Sequence, residues 1–364
     1  EISACLVGSE MCIRDRYGLD APTCTITLTT DDKTYTVKLG DHSTMDSQRY
    51  MDIGDGNVYL AASDPLDAYD VELKDLIAND DVPYFDEVSQ IRFAGSEDYS
   101  VIYDEDGKSI CADDIYFTAD GKPLDTSRVN SYISVLRYLE LTDYVTYRVT
   151  DEELSAYGLD DPELSVSVDY TDDGTSDTFV LHISRDPAEK KAAADAEDEE
   201  ASDITAYARV GDSKIIYQIS GSSYRSLMTA GYNDLRHQEI FSGNFDDVTG
   251  IDVTLDGETY TLTSQKDGKE RTWLCEEAEI EIGDLQDALE ALTAEEFTSE
   301  KATGQQEISL TLYLDHEDEP ELTIALYRCD GSKCLVIVDG KSVAYVPRGE
   351  MVTLAEAVRT IALS

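Results

Sequence analysis

Four histidines, seven cysteines and 78 carboxylate side chains are the groups in this 364-residue sequence that could carry chemistry. His42 and His316 fall in acidic, loop-like text, His182 alternates within a strand pattern, and His237 follows a helix-like tail. None forms HExxH or another pair at metal-ligand spacing, so each is assigned to solvent or to a half-buried face. Cys329 and Cys334 flank a DGSK loop in YRCDGSKCLVIV, where two strands could set them opposite each other. A cross-hairpin disulfide and two free thiols both fit, and a zinc ribbon would need a second cysteine pair. Cys24, Cys111 and Cys275 lie in strand-like runs and read as small buried apolar side chains.

Acid clusters invite a calcium reading, because hard cations take oxygen ligands. In YDEDGK, however, setting Asp106 at the fifth loop position puts Ile102 at the first, and the same test on MDIGDGN puts Met51 there. Both fail the EF-hand pattern, and hairpin turns explain both Asp-Gly pairs. The sequence contains no GxSxG elbow, no GxxxxGK phosphate loop and no strand-linked GxGxxG. It therefore supplies no catalytic, cofactor-binding or metal-ligating residue.

Charge narrows the partners. Lys and Arg total 28 against 78 Asp and Glu, a net charge of −50, which repels phosphate backbones and anionic lipid surfaces. Nucleic acid is excluded as a partner on this ground. Regular alternation of Val, Ile, Leu and Tyr, with 23 tyrosines, argues for folded strands carrying solvated carboxylates rather than for disorder. The tyrosine rings are expected to cover the sheet pleat as core or cross-strand pairs.

The elements are organised around a recurring corner. In Val149–Pro162 (VTDEELSAYGLDDP), Thr150 and Glu153 form a capping box, and Val149 can staple on Leu154. Gly158 suits the left-handed residue that ends a helix, with Leu159 closing on Leu154. Pro162 then forces the chain into extended structure. The ending YGLDxP already stands at Tyr17–Pro22. Each corner opens a sheet half. In the first, Cys24, Ile26 and Leu28 share one face of a strand and Tyr35, Val37 and Leu39 one face of the next, a half-buried hairpin; strands follow near 49–53 and 58–61, and Asp64–Ile77 has helical spacing. In the second, Leu164, Val166, Val168 and Tyr170 give the first strand and Phe179, Leu181 and Ile183 the second, and YARVGDSKIIYQI mirrors RYMDIGDGNVYLA.

A helical half comes between them: FDEVSQIRF from Phe85, a strand through 99–103, an Asp106-Gly107 turn, a strand near 115–117 and a helix over 126–139. FDDVTGIDV at Phe245 and Asp267-Gly268 repeat its first parts, with a helix from about Asp284. A third sheet half begins near Ile308 and closes with a Thr353-capped helix. It reads SEKATGQQE where YGLDxP would stand. Correspondences at this spacing indicate internal duplication. The predicted fold is α+β, with tandem antiparallel β-sheet units each packed with one or two helices.

Two stretches depart from the pattern. Residues 186–203 (DPAEKKAAADAEDEEASD) read as a flexible acidic insert. Residues 5–16, CLVGSEMCIRDR, resemble the in-frame translation of a sequencing adaptor, so 1–16 are expected to be a disordered scar outside the fold, with the true N-terminus missing.

YGLDxP entering a strand hairpin, the RYxxxGDxxVY-like pair and the FDEV-to-helix unit together resemble the bacterial domain-of-unknown-function family 4340. The resemblance spans nearly everything from Tyr17. It makes 17–84 the back half of a truncated repeat, 85–236 a complete repeat and 245–364 a diverged second complete repeat. It implies an extracytoplasmic protein held by a membrane helix that would lie upstream, often encoded beside ABC-type transporters, and it supplies no catalytic residues. The expectation is a non-enzymatic binding or scaffold module of the bacterial envelope, with an envelope protein such as an ABC transporter subunit as partner. Two other readings stay open: a glycan- or peptide-acting enzyme using unassigned carboxylates, and a calcium-dependent adhesive repeat.

Overall fold

The structure is a computed structural model and describes residues 14–45, 47–69, 71–194, 204–267 and 270–363. The chain divides into two units, one ending at Asn79 and the other beginning at Asp80. Among the described residues the strands form three antiparallel sheets, one of four strands and two of nine, each accompanied by helices, so the class is α+β.

The first unit is a meander of β1 (Cys24–Thr29), β2 (Thr34–Ser43), β3 (Gln48–Asp52) and β4 (Tyr59–Leu60), adjacent in that order. Its hairpin forms as the alternation predicts, and its register sets Cys24 opposite Leu39, Ile26 opposite Val37 and Leu28 opposite Tyr35. Leu39 is fully buried, while Leu28 near the turn is exposed. The predicted helix over Asp64–Ile77 is instead two short turns, α1 (Leu66–Tyr69) and a 3-10 turn at Leu73–Leu76. The cause is local. Asp64 accepts the Leu66 N–H at 2.9 Å and Asp75 reaches back to the Glu72 N–H at 2.8 Å, so each acid starts its own turn. Residues 14–16 are also corrected: they form a helical turn, and the Leu19 N–H closes on the Arg14 carbonyl at 2.8 Å. The remainder of the predicted scar, 1–13, lies outside the described residues.

The second unit holds two copies of one topology. The first copy contains β5 (Glu87–Gly95), β6 (Tyr99–Tyr103), β7 (Tyr116–Thr118), β8 (Pro123–Leu124), β9 (Tyr144–Thr146), β10 (Leu164–Asp172), β11 (Thr175–Arg185), β12 (Ala206–Val210) and β13 (Ile216–Ile219). They are ordered β8-β7-β6-β5-β10-β11-β12-β13-β9. The second contains β14 (Val248–Leu255), β15 (Glu258–Asp267), β16 (Glu270–Cys275), β17 (Ala278–Ile280), β18 (Glu296–Phe297), β19 (Gln306–Leu314), β20 (Glu321–Arg328), β21 (Lys333–Val338) and β22 (Lys341–Pro347). Their order, β17-β16-β15-β14-β19-β20-β21-β22-β18, is the same strand for strand. In each copy two meanders meet along one seam, β5 against β10 and β14 against β19. The chain is duplicated.

Helices cover these sheets where their apolar stripes demand it. In the first copy α2 (Thr126–Arg137) is capped by Asp125, whose carboxylate accepts from the N–H groups of Ser127 and Arg128. It buries Val129, Tyr132, Ile133 and Leu136, and the Tyr132 hydroxyl donates to the Leu227 carbonyl at 2.9 Å. The insert is corrected in its first half: α3 (Pro187–Ala194) is a helix, started by Asp186 accepting from Ala188 and Glu189, while 195–203 lie outside the described residues. Next come α4 (Gly221–Met228) and α5 (Tyr232–Leu235). In the second copy α6 (Gly283–Glu290) buries Leu285, Ala288 and Leu289, and α7 (Arg348–Leu363) lies beside it. Thr353 is not the cap of α7. The helix starts five residues earlier, directly from β22, and the Thr353 hydroxyl donates to the Gly349 carbonyl inside it. The predicted Asp267-Gly268 turn runs into residues outside those described.

The glycine corner closes as predicted, but the capping box at its start forms only in part: the Thr150 hydroxyl donates to Glu153, and the Glu153 N–H goes to the Thr150 carbonyl instead of to that hydroxyl. A 3-10 turn at Leu154–Tyr157 ends on Gly158 at φ +68°, and the Leu159 N–H returns to the Leu154 carbonyl at 3.0 Å. Glu153 accepts from the Thr150 N–H at 2.9 Å, and Val149, Leu154 and Leu159 join Ile216 in one apolar cluster.

Candidate functional site at the junction of the two repeats

The β6–β7 connection folds back on itself through short polar contacts. The Asp104 N–H donates to the Ile115 carbonyl, closing the base of the loop, and the Thr126 hydroxyl bridges its end by donating to the Asp113 carbonyl and accepting the Ile115 N–H. Within the loop the buried Ser109 accepts the Cys111 N–H at 3.1 Å and donates to Asp114 Oδ2 at 2.7 Å. The Asp114 N–H in turn donates to the Cys111 carbonyl. Asp114 is only 5% exposed, one of two buried carboxylates among the described residues. Burying a carboxylate is costly unless it is paired and hydrogen-bonded.

Its partner comes from the end of the repeat. The Asp125 N–H donates to the Leu235 carbonyl, drawing the end of α5 to the start of α2, and two residues later His237 sets Nε2 2.9 and 3.0 Å from the two Asp114 oxygens. On the other side of the ring Nδ1 stands 3.9 Å from Glu239. Burial alone would push this imidazole toward its neutral form. The Asp114 carboxylate, joined by the charges of Asp125 and Glu239, outweighs burial and holds it above the ordinary histidine range. Burial pushes the neighbouring Cys111 thiol up.

The strand-like linker then docks on the second repeat. Ile240 donates to the Leu292 carbonyl at 2.9 Å, Ala294 donates to the Gln238 carbonyl at 2.8 Å, and Glu239 pairs with Thr293 between them. The Arg236 guanidinium lies 4.3 Å from the Phe297 ring centre, and Lys108 reaches Asp318 at 2.8 Å. A pocket of about 320 Å³ opens beside His237, lined by Asp113, Asp125, Ser127, Ser242 and Glu290 among others.

The chemistry open to this group follows from its order. Ser109 bonds the aspartate and not the imidazole, so the arrangement is not the hydroxyl–imidazole–carboxylate sequence of an activated nucleophile. It is instead a mixed donor set. Ligand atoms of Cys111, Asp114 and His237 lie within 4.8 Å of one another, as do those of Asp125, His237 and Glu239. A third group, Asp86, Asp172 and Asp173, contains carboxylates alone.

The other histidines do not join this cluster. His182 is bonded through Nδ1 to the Ser165 hydroxyl at 2.8 Å, with its pKa lowered by burial, His316 accepts the Glu319 N–H, and His42 pairs across from Arg49 in the first unit. Cys329 and Cys334 are free thiols, the first exposed and the second buried. Cys334 faces Glu307, which is held between Arg328 and Arg348 in a second pocket of about 650 Å³ beside α7.

Comparison with known families places the chain. The family described as Domain of unknown function (DUF4340) matches residues 14–162 and again residues 116–310. The chain belongs to this family. Both DUF4340 matches take in α2 and the glycine corner at Gly158, and the first takes in the corner at Gly18 as well. No curated protein and no solved structure matches the chain.

Proposed function

We propose that this DUF4340 chain is a non-enzymatic, extracytoplasmic binding or scaffold module of the bacterial envelope. Its partner in this proposal is an envelope protein, such as a subunit of an ABC-type transporter, and its attachment to the membrane is through a segment outside these 364 residues. The observation that supports it is the duplication itself: two nine-stranded sheets of one topology, joined by a linker hydrogen-bonded into the second, lie in one compact unit. Such an arrangement suits holding a partner at two related points, with the gain in effective concentration that brings. The net charge of −50 favours a partner with a basic face. Among the described residues no helix is long and apolar enough to cross a membrane.

The test is affinity capture of the full-length protein from its native membranes after mild crosslinking. Recovery of an envelope protein whose retention falls as salt rises supports the reading. Recovery of the chain in the cytosolic fraction alone, with no envelope protein attached, overturns it.

A further inference from the structure

We infer that Cys111, Asp114 and His237 form a binding site for a divalent transition metal of the zinc class, located where the first complete repeat meets the linker into the second. The donor set is one sulfur, one carboxylate oxygen and one imidazole nitrogen, a combination suited to borderline-soft ions and not to calcium or magnesium, which take oxygen ligands. The spacing agrees. Zinc–nitrogen and zinc–oxygen bonds of about 2.0–2.2 Å at a tetrahedral angle set the two ligand atoms about 3.3 Å apart. His237 Nε2 and Asp114 Oδ1 stand at 2.9 Å, so a small opening of that contact admits the ion.

An outer contact of the kind that orients a metal ligand is already in place. Ser109 fixes the Asp114 carboxylate through its second oxygen, at 2.7 Å. His237 already directs Nε2 at Asp114, which makes Nε2 the ligating nitrogen, while Nδ1 stands 3.9 Å from the Glu239 carboxylate. Binding releases the Cys111 thiol proton and any proton on Nε2 to water, and the ion takes their place between the ligands. The fourth position faces the pocket and is left for water. Asp125 is not the fourth ligand in this assignment, because its carboxylate caps α2. Two ligands belong to the β6–β7 loop and the third to the linker that pairs with Leu292–Ala294, so the ion would tie the linker to the first repeat.

The experiment uses the full 364-residue chain, stripped with a chelator and dialysed against zinc or cobalt(II) in the presence of a large excess of calcium. The expected result is one tightly held ion per chain and, in the cobalt form, a thiolate-to-cobalt charge-transfer band. Cys111→Ser abolishes the band, His237→Gln lowers zinc affinity at least tenfold, and Ser109→Ala lowers it by about 10- to 100-fold. If His237→Gln does not fold, Cys111→Ser and Ser109→Ala decide the matter. The inference is overturned if the chain retains no zinc against calcium, or if zinc is retained equally by Cys111→Ser. The latter outcome assigns the metal to another cysteine or to the acidic surface.

Discussion

Gly18 and Gly158 turn at the same positive φ, +68°, and the leucine after each returns its N–H to the carbonyl five residues back. A Cβ on Gly158 would stand 2.8 Å from the Ser184 hydroxyl oxygen, and one on Gly18 would stand 2.5 Å from an Asp41 carboxylate oxygen. In both places the glycine is required twice, by its backbone and by the strand packed against it.

Replacing Gly158 with alanine is therefore expected to destabilise the second unit by about 1–2 kcal/mol through the left-handed backbone alone, with a further loss from the contact to Ser184. Adding Ser184→Ala to Gly158→Ala should recover the second part and leave the first. Urea midpoints for the two variants, measured beside Ser184→Ala alone, check this. Equal midpoints for the single and double corner variants would refute the steric part.

Burial in the paired strands sets the next expectation. Leu181 is fully buried opposite Val166, whereas Leu28 in the first unit is 59% exposed. Leu181→Ala should lower stability by about 2–5 kcal/mol and Leu28→Ala by no more than about 0.5. Thermal unfolding of the two variants separates them. Similar losses would mean that the exposed face of the first sheet is covered in solution.

Acid should weaken the β5–β10 seam through Asp169. Its carboxylate takes two hydrogen bonds from Arg92, at 2.5 and 2.7 Å, and these, with the Thr178 hydroxyl, hold its pKa below the usual carboxylate range. A depressed folded-state pKa contributes stability that is complete above the unfolded value of about 4 and is lost as pH falls through the folded value. Glu163 adds to the same slope. Burial pushes its carboxyl up, but hydrogen bonds from Lys190, the Arg185 N–H and Tyr224 leave it lowered. Asp169→Asn should flatten the loss of stability below about pH 4. Urea midpoints at stepped pH values test it, and an unchanged slope would count against the seam as an acid-sensitive element.

Thiol chemistry should distinguish the two cysteines of the β20–β21 hairpin. Burial and the Glu307 carboxylate beside it push Cys334 up to about 12, while Cys329 is exposed. Alkylation of the native protein at pH 8 should modify Cys329 and spare Cys334 until the chain is unfolded. Peptide mass mapping reads both sites. Rapid native labelling of Cys334, or a mass shift on reduction showing a Cys329–Cys334 bridge, would contradict the structure.

What the sequence disclosed and what it hid have physical causes. Leu164, Val166 and Val168 announced β10 because each strand buries one face, and the same rule recovered the hairpin of β1 and β2, whose register alternation alone does not set. The stripe at Leu66, Tyr69, Leu73 and Leu76 misled because its spacing is helical while its side chains have little to pack on: Tyr69, Leu73 and Leu76 are exposed. Thr353 looked like a cap because threonine favours helix starts, yet Arg348–Val352 continue from β22 without a break. For the junction, Cys111 and Asp114 showed only a C-x-x-D spacing. His237 lies in another segment, and only the pairing of α2 with α5 brings it to Asp114.

The seam between β5 and β10 also constrains how the protein is made. On the ribosome, β5 to β8 emerge as a meander of neighbours and can pair as they leave the exit tunnel, but Glu87–Gly95 then offers one bare edge until Leu164–Asp172 have been translated. For that interval the nascent chain carries an adhesive strand that adjacent polysomes could capture. The turn ending at Gly158, made six residues before β10, redirects the backbone just ahead of the strand that shields this edge, and the second repeat passes through the same exposure at β14.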